Sequence, residues 1–130
     1  MPRNLIYEIN NNKITHLCLN PSLLDIITRT LISTNSNICL EEIYSSGSPL
    51  EIHVYNRAKE AMPNVSIYNV YGLSEAGPRV CAQHRKDNNI PGSVGKPLSR
   101  VMLKITDRNG NTLEPYMKGS ILIKTPSIFS

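Results

Sequence analysis

The sequence predicts an α/β protein in which a parallel βαβαβ unit is followed by an antiparallel β unit. Two observations support this class. In the first part of the chain, short apolar runs alternate with longer segments whose apolar residues recur at helical spacing. In the last part, apolar and polar residues alternate with a period of two between turn-rich stretches. Strands that alternate with helices in this way become parallel neighbours joined by right-handed crossovers.

The first strand is predicted at residues 14–19, an apolar run followed by a helix start. Asn20 offers an N-cap, and Pro21 suits the first helical position because its missing N–H would be unpaired there in any case. The buried face of this helix is predicted from its apolar residues at helical spacing, which are Leu23, Leu24, Ile26, Ile27 and Leu31. The polar run at residues 33–37 is predicted as a loop.

The second strand is predicted at residues 38–44, the second helix from Leu50 to about Met62, and the third strand at residues 65–70. Pro63 ends the helix, because proline lacks the N–H that a helix interior needs. Ligands of parallel sheets collect beyond the carboxyl ends of the strands. The turns at Gly47 and Gly72 follow two of these ends, so they are expected to converge at one edge of the sheet.

The antiparallel unit is predicted from five features after residue 78. A strand at 79–85 is followed by a turn-rich stretch, an alternating strand at 101–106 and a hairpin turn at 107–111. An apolar strand at 120–124 then returns. The chain is therefore expected to divide into an α/β nucleotide-binding subdomain, residues 1–78, and a β-rich subdomain, residues 79–130.

Composition and charge narrow the function classes. The 130 residues are 40% hydrophobic, enough for one core, and no run reaches the roughly 18 apolar residues of a membrane span. The start does not resemble a signal peptide, so a cytoplasmic location is expected. The net charge is −2 in residues 1–78 and +6 in residues 79–130. That basic part suits a solvated face, an anionic cofactor or an acidic partner, whereas nucleic acid is disfavoured because interleaved aromatic residues are lacking.

The three cysteines are odd in number and widely spaced. Cys18, Cys39 and Cys81 each lie in or beside an apolar run, and none has a second cysteine or a histidine at ligand spacing. We expect buried free thiols rather than a zinc site or a disulfide framework.

The heptapeptide YGLSEAG at residues 71–77 carries the clearest chemical signal. Its glycines allow close approach of the backbone to a ligand, the Ser74 hydroxyl can donate to an anionic oxygen, and Glu75 offers Mg²⁺ a hard ligand. Tyr71, the first residue of the heptapeptide, adjoins the candidate phosphate loop and is a candidate for stacking. An alternative is a helix start with Ser74 as N-cap and an acid in the first turn. Gly47 has a similar alternative as an ordinary strand-to-helix turn.

An ordered series of motifs resembles the adenylate-forming, or AMP-binding, enzyme superfamily. This superfamily includes acyl-CoA synthetases, peptide-synthetase adenylation domains and luciferases. The matching segments are residues 46–50, 69–75, 92–97, 107–110 and 119–123. The resemblance runs from about Ile14 to the last residue. Ser74 replaces the more common threonine, and Ser120 stands where the family often has glutamate.

The resemblance implies roles for ten residues. Gly47, Ser48 and Pro49 would form one wall of the adenine slot, and Gly72 would belong to the same nucleotide site. Asn69 would face the adenine amino group, and Tyr71 would cover the ring. Ser74 would hydrogen-bond the α-phosphate and Glu75 would bind Mg²⁺, which makes these two the implied catalytic residues. Ser46, Val70 and Gly72 would lie near the acyl pocket.

The implied function is part of an ATP-dependent ligase that activates a carboxylic or amino acid as an acyl-adenylate and passes it to a CoA or carrier-protein thiol. The family's phosphate loop, ribose-binding aspartate and lysine-bearing domain have no match here. The chain is therefore expected to be an internal fragment of the large N-terminal domain, inactive without the remainder of the parent enzyme. Two alternatives stay open. One is a non-catalytic nucleotide-binding or interaction module derived from that fold, and the other is an unrelated nucleotide-binding α/β domain.

Overall fold

The computed structural model describes residues 2–87 and 89–127. Its strands form a five-stranded sheet in the order β1-β2-β3-β4-β5 and a separate two-stranded sheet, β6-β7. The elements are α1 (Pro2–Asn11), β1 (His16–Leu19), α2 (Pro21–Thr34), β2 (Glu42–Ser45), α3 (Ile52–Ala61), β3 (Ser66–Leu73), β4 (Gly77–Ala82), β5 (Lys96–Pro97), β6 (Met102–Thr106) and β7 (Ser120–Lys124). Within the described ranges, no helix has both the length and the apolar character needed to cross a membrane.

The predicted parallel βαβαβ unit is confirmed. β1 pairs in parallel with β2, and β2 pairs in parallel with β3. Buried side chains from all three helices meet those of the strands in one core. Ile9, Leu24, Ile27 and Ile43 are at most 1% exposed, and burying each such side chain contributes about 1.5–3 kcal/mol.

Helix α2 begins as the sequence predicts and ends later. Asn20 Oδ1 accepts a hydrogen bond from the N–H of Leu23 at 2.8 Å, and Pro21 is the first helical residue. The loop prediction for Ser33 and Thr34 is wrong, because both lie in the last turn. The Thr34 hydroxyl donates to Thr30 O at 2.7 Å, so this polar run satisfies itself within the helix. The predicted buried face is also too wide, since Ile26 is 44% exposed.

Helix α1 is not anticipated from the sequence, and its position explains why the second strand is shorter than predicted. Asn10 on α1 accepts a hydrogen bond from the N–H of Cys39 and donates to Asn37 O, both at 2.9 Å. These bonds hold residues 37–39 against the helix, and the strand begins only at Glu42.

Of the three cysteines only Cys81 is buried, so the expectation of buried thiols is wrong for Cys18 and Cys39.

The heptapeptide is part of a β-hairpin rather than a loop followed by a helix. β3 continues through Leu73, the chain turns, and β4 returns antiparallel from Gly77. The N–H of Ala76 donates to Leu73 O at 3.2 Å and closes the turn. The alternative in which Ser74 caps a helix is therefore wrong. The strand predicted at 79–85 corresponds to β4, which begins earlier, at Gly77, and ends earlier, at Ala82.

The antiparallel unit is confirmed at the level of strand pairing. β4 pairs with β5, and β6 pairs with β7. Asp107 builds the predicted turn, because its Oδ1 accepts from the N–H of Asn109 at 2.8 Å and of Asn111 at 2.9 Å. The pKa of Asp107 is lowered mainly by a further hydrogen bond from the Asn111 side chain, and also by these backbone bonds. The five-stranded sheet contains strands from both sides of residue 78, and the division into two subdomains stays a prediction.

Candidate functional site

A cleft of about 320 Å³ lies at the carboxyl edge of the parallel strands. Its walls come from the turn after β2, the end of β3 and the segment before β5. The expected convergence of the Gly47 and Gly72 turns is therefore present in the structure. The lining residues are Gly47, Ser48, Pro49, Leu50, Asn69, Val70, Tyr71, Gly72, Gly92 and Val94.

The cleft brings together most of the predicted site residues and leaves three outside. Gly47, Ser48, Pro49, Asn69, Val70, Tyr71 and Gly72 line it. Ser46 does not; it is half-buried, and its N–H donates to Leu19 O at 3.0 Å. Ser74 and Glu75 lie on the exposed turn between β3 and β4. The residues assigned to the base thus share one cavity, and those assigned to phosphate and metal lie beyond it. The roles themselves stay predictions.

Asn69 is the most constrained polar residue of the cleft. Its side chain is 6% exposed, and its Nδ2 donates to Ser93 O at 3.1 Å. Its backbone N–H donates to the side-chain oxygen of Gln83 at 2.9 Å. No described residue donates to Asn69 Oδ1, so this oxygen stays available as an acceptor. The hydrogen bond from Nδ2 fixes the orientation of the Asn69 amide, and Oδ1 remains as a hydrogen-bond acceptor for a ligand.

Gly72 sets the shape of the cleft where the hairpin is irregular. The pairing register between β3 and β4 shifts between Tyr71 and Leu73. A Cβ at Gly72 would lie 2.2 Å from Pro78 O, a distance that no real side chain tolerates. The close approach of the two strands therefore requires glycine, for a packing reason that is independent of any ligand.

Ser45 contributes an unusual polar group behind the cleft. It is fully buried and pairs with Asn69 across β2 and β3. Its Oγ has no hydrogen-bond partner among the described residues. An unpaired buried hydroxyl costs about 1–3 kcal/mol, and such groups deserve an explanation when they adjoin a candidate site.

Two further features describe the charge and reactivity around the cleft. Cys81 pairs with Tyr71, and burial raises the pKa of its thiol, so the side chain stays a neutral thiol near pH 7. In the part of the chain that the structure describes, no three His, Cys, Asp or Glu side chains are grouped to hold a metal ion.

Sequence reasoning missed several residues of the site. Gly92 lies within a motif that supported the family resemblance, so a signal for it was present. Leu50 directly follows the predicted turn. Gln83 had no signal, because it is an isolated polar residue in a strand-like run. It is nevertheless 5% exposed and bonded to two backbone groups near the cleft.

Comparisons with known proteins identify the family and match the fold. A family model described as AMP-binding enzyme matches residues 1–130. One of the plipastatin synthase polypeptides of Bacillus subtilis is 32% identical over 94% of this chain, and mitochondrial acyl-coenzyme A synthetase ACSM3 of Homo sapiens is 28% identical over 95%. A long-chain-fatty-acid-CoA ligase from Archaeoglobus fulgidus superposes with a TM-score of 0.89 over 99% of the chain at 22% identity.

The fold is that of the adenylate-forming enzymes. Because the family model covers the whole sequence, the chain belongs to the AMP-binding enzyme family. The chain spans 4% of the plipastatin synthase polypeptide, 21% of the human synthetase and 28% of the archaeal ligase.

Proposed function

We propose that this chain supplies the adenine-binding wall and the Mg²⁺ carboxylate of an ATP-dependent ligase that activates a carboxylic or amino acid. The observation that carries the proposal is the cleft itself, in which the turn after β2 and the end of β3 meet around Asn69. Family membership supports nucleotide binding. The acid would be joined to AMP and then transferred to a CoA or carrier-protein thiol.

Asn69 would recognise the base through its free oxygen. Since Nδ2 is held by Ser93 O, the ligand meets Oδ1, which only accepts hydrogen bonds. The exocyclic amino group of adenine is a donor and matches it, whereas the oxygen of hypoxanthine at that position would face another acceptor. Tyr71 would cover the ring. The volume of about 320 Å³ is at the small end of the roughly 300–1,000 Å³ typical of ligand sites and suits a nucleoside.

Ser74 and Glu75 would serve the phosphates from the turn that follows. Mg²⁺ is usually held by one or two carboxylates together with phosphate oxygens and waters, so a single exposed carboxylate fits it. When bound, the ion neutralises phosphate charge. Ser74 would donate to the α-phosphate. The substrate carboxylate is already ionised at neutral pH and needs no protein base to attack the α-phosphorus, which forms acyl-AMP and releases pyrophosphate.

The acid would lie beside the nucleotide, near Ser46, Val70 and Gly72. Its identity is not assigned by these residues. Because this chain spans at most 28% of these relatives, we propose that other segments of a longer enzyme complete the acyl pocket and the phosphate site. These 130 residues alone should then bind nucleotide weakly and turn over no substrate. A cytoplasmic location also stays a prediction.

A thermal-shift experiment with a non-hydrolysable acyl-adenylate analogue tests the proposal. The analogue should raise the melting temperature by a small amount, and Mg²⁺ should add to the shift for an analogue that retains phosphate oxygens. A Glu75→Ala variant should lose only the Mg²⁺-dependent part. Absence of binding at millimolar analogue by a folded sample would overturn the preformed adenine wall.

A second candidate function is a non-catalytic nucleotide-binding or interaction module. It is favoured by the exposure of Ser74 and Glu75, which form no hydrogen bonds with other side chains in the described ranges. Pyrophosphate exchange into ATP, measured on the longest protein that the gene encodes, separates the two. Exchange that depends on an added acid supports the ligase, and nucleotide binding without exchange with any acid tested supports the module.

A further inference from the structure

Gln83 occupies the point where the chain leaves the five-stranded sheet after β4. Its backbone N–H donates to Asn69 O at 3.0 Å, as expected for antiparallel neighbours. The return bond is different, because the N–H of Asn69 donates at 2.9 Å to the Gln83 side chain rather than to its backbone carbonyl. The side chain thus completes the β3 ladder where the backbone of the neighbouring strand turns away.

The other end of the same amide holds the segment that walls the cleft. Gln83 Nε2 donates to Ile90 O at 2.9 Å. Ile90 O also accepts from the N–H of Ser93 at 3.0 Å, which closes the turn containing Gly92. Ser93 O in turn accepts from Asn69 Nδ2. Two side-chain amides, from Asn69 and Gln83, therefore fasten the Ile90 turn to strand β3.

The fastened turn also lies close to the start of helix α3. Gly92 lines the cavity, and a Cβ built on it would lie 3.7 Å from the side chain of Ile52, the first residue of α3. Gln83 does not line the cleft, so it would not contact a bound base. Its bonds instead determine where Ser93 O and Gly92 stand, and Ser93 O orients the Asn69 amide.

We propose that Gln83 is a positioning residue whose amide holds the Ile90 turn in place and thereby keeps Asn69 oriented for the base. The effect on nucleotide affinity rests on the proposed function of the cleft. The effect on the turn does not, because it follows from the bonds of Gln83 to Asn69 and Ile90 alone.

Gln83→Glu isolates the bond to the turn. The new side chain keeps an oxygen for the N–H of Asn69, but its second oxygen cannot donate to Ile90 O and repels it. Asn89→Asp is the matched control, because Asn89 Nδ2 donates to His84 O at 2.8 Å and belongs to the same connection. It makes the same amide-to-carboxylate change without touching the bond between Gln83 and Ile90.

Amide hydrogen exchange and AMP titration on the full chain give two independent results. In Gln83→Glu the Ser93 amide should exchange about tenfold faster while the Asn69 amide stays protected, as expected for loss of one hydrogen bond. AMP affinity, measured where the protein is fully folded, should fall about tenfold, and the Asn69 side-chain NH₂ resonances should move. Asn89→Asp should leave the Asn69 resonances, the Ser93 exchange rate and the AMP affinity unchanged.

The outcomes separate this inference from the proposed function. Unchanged Ser93 exchange in Gln83→Glu, or equal changes in Asn89→Asp, would overturn the inference. Lower stability with unchanged affinity of the folded protein would reduce Gln83 to a structural residue and would also overturn it. If the unmodified chain binds no AMP, the proposed function fails, and the exchange rates of Ser93 and Asn69 still decide whether Gln83 holds the turn.

Discussion

The two ends of the site differ in how much of their geometry exists before a ligand arrives. At the base end, Asn69 is buried and both of its N–H-bearing groups are bonded, to Ser93 O and to Gln83. At the turn end, Ser74 and Glu75 are exposed, and no described side chain holds them. The end proposed for the base is therefore held in place by hydrogen bonds, whereas the turn end is a pair of solvated side chains.

This difference indicates how the two ends would contribute to binding. A preorganised group loses little freedom when a ligand arrives, so its hydrogen bond adds directly to affinity. An exposed carboxylate must first lose conformational freedom. It therefore contributes most to affinity when it binds a metal ion that a phosphate of the ligand already coordinates. Substitutions at the base end should therefore change both stability and affinity, and substitutions of Glu75 at the turn end should change only the metal-dependent part of binding.

The largest effect is expected where the two ends join, at Gly72. Gly72→Ala places a Cβ 2.2 Å from Pro78 O, and only a shift of the backbone relieves this contact. We expect a loss of about 3 kcal/mol in the free energy of unfolding, measured by urea denaturation. Gly47→Ala is the control, because it has a φ of +89° but no atom within 4 Å of the new Cβ. It should cost only about 1–2 kcal/mol of backbone strain.

The next largest effect is expected at the base end. Asn69→Ala removes the donor to Ser93 O and the acceptor proposed for adenine. The partly buried Ser93 carbonyl would lose its donor, so stability should fall by roughly 1–2 kcal/mol. AMP affinity, measured by isothermal titration, should fall at least about tenfold, which is roughly 1.4 kcal/mol. Unchanged affinity would show that the base is read elsewhere.

A smaller effect is expected at Asp25, whose ion pairs stabilise the helices and lie outside the cleft. Asp25 on α2 accepts hydrogen bonds from Arg29 at 2.7 Å and from Arg57 on α3 at 2.5 Å. The Arg29 hydrogen bond is the main cause that lowers the pKa of Asp25 below its ordinary 3.8. The stabilisation is therefore present above about pH 4 and lost as the pH falls further.

Asp25→Asn tests this ion pair. It should cost about 1 kcal/mol at pH 7 and nothing once the pH lies below the lowered pKa, as judged from urea denaturation at both pH values. AMP affinity of the folded protein should not change. A parallel loss of affinity would mean that the base end depends on helix packing as well as on its own hydrogen bonds.

The smallest effect on stability is expected at the turn end. Glu75→Gln alters an exposed side chain, so the free energy of unfolding should change by less than about 0.5 kcal/mol. AMP affinity without Mg²⁺ should be the same as in the unmodified chain, and the gain in affinity on adding Mg²⁺ should disappear. A loss of metal-free affinity would contradict the division of the site into two ends.

The same contrast explains how much the sequence predicts. Asn20, Pro21 and Pro63 act on neighbouring residues, so α2, α3 and the parallel strands follow from local signals, whereas α1 does not. The hairpin at Ser74 does not, because a hydroxyl before an acid suits a helix cap equally well and only pairing with β4 decides. Gln83 is beyond sequence reasoning, since its role depends on the backbone leaving the sheet at that residue. Most of the predicted site residues therefore do meet in one cleft, while the hydrogen bonds that orient them are not predictable from the sequence.

The most direct measurement compares AMP with inosine monophosphate, which differs from AMP at the position that Asn69 Oδ1 is proposed to meet. Both are titrated into the ¹⁵N-labelled chain without Mg²⁺, and the Asn69 side-chain NH₂ signals are followed. We predict that AMP shifts these signals and binds at least about tenfold more tightly than inosine monophosphate. Equal affinities, or shifts confined to residues outside the cleft, would contradict the proposal that this cleft recognises adenine.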